Sequence, residues 1–267
     1  MLNRKAQVAL TLRVVGGLTT EEIAKAFLTP TATVQQRIVR AKKALTASKA
    51  VFEVPGREEF SSRLSAVLGV LYLVFNEGYA ASSGDEWMRA ELSAEALRLA
   101  RILAELVPPR ESEVHGLVAL MELTASRFGA RTTSTGEPIL LADQDRTRWD
   151  RLQISRGLAA LERADAVGRG RGPYGLQAAI AECHARAATF EDTDWKKIVI
   201  LYEALAQLTP SPVVDLNHAA AVSMAYGPGP ALEFVDKLVA SGELADYHLL
   251  PSVRGGVAQS ARPIRGG

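Results

Sequence analysis

The chain has 267 residues, 48% of them hydrophobic and 23% charged, a globular composition with room for two domains that excludes a disordered chain. Aromatics are only 6% and Cys183 is the single cysteine, which favours packed helices over a β-sandwich and excludes a disulfide framework or a multi-cysteine zinc site. Net charge is +1, yet residues 1–49 hold nine Lys or Arg against Glu21 and Glu22, so a head of +7 sits on a body of −6.

That asymmetry is the arrangement of a DNA-binding module joined to a protein-binding domain. Its plain alternative is a lysine-rich amphipathic helix with no nucleic-acid partner. No signal peptide opens the chain, and the most apolar run, Val67 to Phe75, is too short to span a bilayer. A soluble, cytoplasmic protein without membrane partner is expected.

In chain order, Gln7 to Val15 reads as a helix with Val8, Leu12 and Val15 on one side, broken by Gly16-Gly17. Thr19-Thr20-Glu21-Glu22 then forms a capping box, with Thr19 as cap and Glu22 reaching back. The helix it starts turns Ile23, Ala24 and Phe27 inward and stops near Leu28. Thr29-Pro30 opens a third helix, where proline's missing N–H is harmless. Val34, Ile38, Ala41 and Leu45 recur on it at steps of four, three and four, a buried stripe. Its other faces carry Thr31, Thr33, Gln35, Gln36, Arg37, Arg40, Lys42 and Lys43. Two short helices, a tight turn and a Gln- and Arg-rich second helix make a helix-turn-helix. In the major groove Gln pairs with adenine and Arg with guanine, while late lysines suit phosphates. An ordinary helical hairpin with a solvated polar face is the competing reading.

Val54-Pro55-Gly56 marks the boundary between a first domain, residues 1–50, and a second, residues 57–267. The second is a run of helices: Phe60 to Tyr79, then about 88–106, 111–129, 147–166, 173–189, 194–208, 213–225 and 229–241, divided by Pro and Gly. Trp195, Tyr202, Ala204, Leu205 and Pro210, followed by Asn217, Ala219, Tyr226, Gly227, Ala231 and Leu232, suggest tetratricopeptide-like packing, with a plain helical bundle as the alternative. The fold class is therefore all-α, a helix-turn-helix followed by a helical, partly tetratricopeptide-like domain.

No enzyme is expected. Asp143, Asp145 and Asp150 lack the loop glycine and further oxygens of a calcium site. Asp143 instead suits a cap for a helix entering at Arg146, with Arg146 paired to a nearby acid. His115, His184, His218 and His248 have no ligand spacing, and Cys183 suits a small buried group. Gly168 to Gly172 (GRGRG) follows no strand and reads as a turn, not a phosphate loop. Neither metal nor cofactor is expected.

Residues 7–45 resemble region 4 of extracytoplasmic-function sigma factors, through Glu22-Ile23-Ala24 and the Thr33-Val34, Arg37, Arg40-Ala41 pattern. The resemblance implies that Gln35, Gln36 and Arg40 face the groove of the upstream (−35) promoter element, with Thr31, Thr33 and Lys43 near its backbone. It implies RNA polymerase core as partner, besides promoter DNA. Leu71 to Ser82 (LYLVFNEGYAAS), Leu140 to Trp149 (LLADQDRTRW) and Glu191 to Trp195 (EDTDW) resemble motifs of the sigma-factor branch with a tetratricopeptide-like extension. Asp143-Gln144-Asp145-Arg146 is that branch's hallmark, structural or regulatory in role. The branch also has a region 2 ahead of region 4, for which no room precedes residue 7, so a truncated protein unable to initiate transcription unaided is expected. After Pro251 the sequence departs from the branch. The alternative function is a helical adaptor that binds a protein or peptide and carries a vestigial DNA-binding module.

Overall fold

The computed structural model describes residues 4–14, 17–26, 29–48, 57–79 and 90–241. Phe27 and Leu28, the 54–56 boundary, the end of the 71–82 motif and everything from 242 onward lie outside them. Within the described residues the chain is all-α, with an isolated bridge between Thr132 and Pro138. The helices are α1 (Arg4–Val14), α2 (Thr20–Ala26), α3 (Thr31–Ser48), α4 (Arg57–Tyr79), α5 (Ala90–Leu106), α6 (Ser112–Ala125), α7 (Arg151–Ala166), α8 (Pro173–Arg186), α9 (Trp195–Leu208), α10 (Pro212–Tyr226) and α11 (Pro228–Ser241). None is long and apolar enough to cross a membrane.

The chain forms two compact units, Met1–Pro108 with Ala125–Leu140, and Pro109–Thr124 with Leu141–Gly267. In the first, α1, α2 and α3 pack on one another and α1 also meets α4, which pairs with α5. Leu12, Leu18, Ile23 and Val34 are fully buried and form the centre of the three-helix head. Leu64, Leu68, Leu71, Val74 and Phe75 form the buried stripe of α4, while Val67 is 43% exposed. Ser93 Oγ donates to the Phe75 carbonyl at 2.8 Å, tying α5 to α4. Phe75, Tyr79 and Phe128 stack. Arg131 lies 3.4 Å above the Tyr79 ring and donates to its carbonyl, while Arg127 donates to its hydroxyl. Burial pushes the Arg131 pKa down to about 10, which still leaves it cationic at neutral pH.

The second unit follows a sequential pattern: α7 meets α8, α8 meets α9, α9 meets α10, and α10 meets α11. Helices that pack chiefly against the next one in the chain behave as a stacked array. The links are short, and the one between α10 and α11 is Gly227 alone, at φ +90°. Only glycine adopts that φ without strain, and Pro228 then starts α11. Buried Leu205, Ala219 and Ala231 line these contacts.

Two boundaries differ from the expectation by four residues. Residues 147–150 are not helical: a 3-10 turn at Arg146–Arg148 ends in extended Trp149, and α7 begins only at Arg151. The apolar period carried across Trp149, but Asp150 accepts amide hydrogens from Leu152 and Gln153 at 2.8 and 3.0 Å, and so sets the true start. Likewise α6 ends at Ala125, and Phe128–Ala130 is a separate 3-10 turn.

His115 on α6 is half-buried, and burial followed by the charge of Arg163 holds its pKa below the usual histidine value. A histidine with a depressed folded pKa stabilises fully above its unfolded pKa of ~6.5, and that contribution is lost as pH falls below it. His115→Gln is therefore expected to flatten the fall in melting temperature between about pH 6.5 and 5. An unchanged pH profile of melting would contradict this.

Candidate nucleic-acid interface

The head is built by local sequence signals. Gly17, at φ +67°, lets the chain reverse after α1, and Leu18 N–H closes the turn on the Leu12 carbonyl at 3.1 Å. Thr19 and Glu22 form a reciprocal capping box: Thr19 N–H donates to Glu22 Oε2 at 2.6 Å, and Glu22 N–H donates to Thr19 Oγ1 at 3.2 Å. Glu22 is only 2% exposed, so one of the head's two acids is withdrawn from the surface that would meet phosphate. Thr29 N–H donates to the Ala24 carbonyl at 2.9 Å, which fixes the turn into α3. The Pro30 carbonyl accepts from Thr33 and Val34 and starts that helix.

Val34, Ile38 and Ala41 of α3 are buried, against α1 and α2, and Leu45 is half-buried. Thr31, Thr33, Gln35, Gln36, Arg40 and Lys43 are exposed, and Arg37 is half-exposed on the flank. At about 100° per residue, Gln36, Arg40 and Lys43 stand opposite the buried stripe, with Gln35 and Thr33 at the two edges. All seven residues therefore share one helix, with five on its open arc and Thr31 exposed at its first turn, in line with Ile38. An α-helix fits the major groove, and this arc offers it two amides, two cations and one hydroxyl without an acid.

One residue of that arc escaped the sequence reading. Val39 is 47% exposed and lies between Gln35 and Lys43 around the helix. Position 39 falls well off the 34–38–41 stripe, so spacing alone places it on the open side.

The Asp143 to Arg146 motif lies in the second unit. Asp143 is exposed at the end of the 3-10 turn Leu141–Asp143, and Gln144 is half-buried. Asp143 is therefore not the cap expected of it. Asp145 caps the Arg146–Arg148 turn instead, accepting from Thr147 N–H at 2.9 Å and Thr147 Oγ1 at 2.6 Å. These bonds hold the Asp145 carboxyl below the usual range. Arg146 is 6% exposed. It donates to the carbonyls of His184 and Ala187 at 2.8 and 3.0 Å, and to Thr193 Oγ1 at 3.0 Å. Its guanidinium lies 5.0 Å from the Trp149 ring centre. Two of these acceptors belong to the carbonyl end of α8, where a cation is favoured by the helix dipole.

Glu113 occupies the other end of that helix. Its carboxylate accepts from Tyr174 N–H at 2.8 Å and Gly175 N–H at 3.1 Å. The helix N-terminus that follows the 168–172 glycine run thus holds an internal anion, and Gly168 and Gly170, both at positive φ, form the turn before it. Arg171 pairs with Asp165 at 2.7 Å. No group of His, Cys, Asp and Glu suited to a metal occurs among the described residues.

Against known proteins, residues 1–45 match sigma-70 region 4, and residues 63–165 match a family of unknown function, DUF6596. An uncharacterized protein of Rhizobium meliloti (strain 1021) is 48% identical over 252 residues, which are 94% of this chain and 58% of that protein. The chain thus spans less than two thirds of its relative's length. No solved structure matches. The likeness to sigma-70 region 4 thus covers the three-helix head, whose α2 and α3 form the helix-turn-helix.

Proposed function

We propose that this protein acts in bacterial transcription initiation, residues 1–50 reading a −35 promoter element and engaging RNA polymerase core in the cytoplasm. The carrying observation is the acid-free arc of α3 (Gln35, Gln36, Arg40, Lys43) on a head similar to region 4. Residues 57–267 are the extension, tetratricopeptide-like in its later part. The α7 to α11 succession supports a role in binding a protein or peptide that controls activity. Within it, Asp143, Gln144, Asp145 and Arg146 set the joint between α7 and α8.

Base reading and phosphate contact separate by mutation. Arg40→Ala is expected to weaken binding to a selected duplex by about 1–3 kcal/mol while barely changing binding to random DNA, whereas Lys43→Ala weakens both alike. Fluorescence anisotropy on the two duplexes measures this; equal losses for Arg40→Ala on both would overturn base reading. Co-purification of core polymerase with the tagged chain tests the second partner, and DNA binding without polymerase would leave a regulator that is not sigma-like in action.

A further inference from the structure

We propose that Val39 reads the C5-methyl group of a thymine, about one base-pair step from the base that Gln36 contacts. The inference rests on α3 being the groove-facing helix proposed above. Val39 is a β-branched apolar side chain, 47% exposed, on the arc opposite the buried stripe. It has no core to fill from there. Ala32, Gln35, Gln36 and Val39 follow one another at i, i+3, i+4 and i+7, and all four are exposed. Side chains at those intervals form a single ridge on a helix.

The ridge therefore alternates apolar, amide, amide, apolar. Thymine is distinguished in the major groove by a methyl group that apolar side chains contact, and adenine by a donor and acceptor that an amide matches. A ridge of this kind selects A·T pairs at neighbouring positions. Three residues separate Gln36 from Val39, about 4.5 Å along the axis. That is little more than the ~3.4 Å between successive bases of one strand. A solvated surface position would more commonly carry one of the long charged or amide side chains found around it.

The test uses the full chain, first to enrich a duplex from a random pool. Each thymine of the enriched site is then replaced singly by deoxyuridine, which removes the methyl and nothing else. Removing one buried methyl-sized contact is expected to weaken the wild-type chain about fourfold at one position. Val39→Ser, whose helix propensity is similar, should bind the thymine and deoxyuridine duplexes alike. Insensitivity of the wild type at every thymine would overturn the proposal while leaving reading by Gln36 and Arg40 intact. So would methyl sensitivity that persists in Val39→Ser. If no sequence is enriched at all, the groove-facing role of α3 fails and this inference with it. The deoxyuridine series on wild-type protein needs no variant to fold.

Discussion

Arg146→Ala is expected to destabilise the chain by roughly 3–5 kcal/mol, the largest effect of any single change in the Asp143 to Arg146 motif. The guanidinium is 6% exposed and donates to two carbonyls at the end of α8 and to the hydroxyl of Thr193. Truncation leaves those part-buried carbonyls and the buried Thr193 hydroxyl without the cation, and each such acceptor costs up to about 1–3 kcal/mol. It also removes the stacking of Arg146 on Trp149. Arg146→Lys should recover only part of the loss, because an ammonium cannot reproduce the planar fork that spans His184, Ala187 and Thr193. Asp143→Ala, at an exposed position, should stay within about 0.5 kcal/mol, whereas Asp150→Ala should cost about 0.5–2 kcal/mol as the cap of α7. Urea denaturation of the four variants ranks them. Equal, small losses at Arg146 and Asp143 would end the view of the motif as a joint between helices.

That ranking also shows what the sequence could and could not disclose. Capping boxes and apolar stripes are local, so Thr19 with Glu22, and Val34 with Ile38 and Ala41, were legible from spacing alone. So were the all-α class and the order of the helices. The partner of Arg146 was not legible, since its acceptors lie 38 to 47 residues further along the chain. An arginine in such a motif suggests an acid; helix-end carbonyls, which every sequence supplies and none advertises, are acceptors that spacing does not reveal. Asp143, Asp145 and Asp150 are all plausible caps by residue type, and only backbone geometry chooses among them. On α3 the polar residues of the arc were found because charge and amides draw attention. Val39 was missed because a valine on a helix looks like core until the angle is counted. The occupant of the α8 N-terminus was equally hidden, Glu113 lying 61 residues before Tyr174.

The position of Glu113 leads to the second large effect. Gly116→Val is expected to cost about 3 kcal/mol or more, at the upper end of what overpacking does. A Cβ at Gly116 would stand 2.8 Å from the Gly175 backbone nitrogen and 3.1 Å from its Cα. Backbone atoms cannot rotate away, so α6 and α8 would have to separate, and the Glu113 carboxylate would lose its hold on the Tyr174 and Gly175 amides. Gly157→Ala meets Cγ of the buried Leu123 at 2.7 Å; that side chain must tilt as a whole, yet the nearest atoms are side chain and only one carbon is added, so the cost should be smaller, about 1–2 kcal/mol. Gly69→Ala supplies the opposite sign. It lies inside α4 with nothing within 4 Å of the added carbon, and a helical glycine replaced by alanine in open space gains roughly 0.5–1 kcal/mol. Melting temperatures of the three variants should therefore fall steeply, fall slightly and rise. A Gly116→Val protein as stable as the parent would mean that α6 and α8 do not pack through this glycine pair, and Glu113 would then need another account.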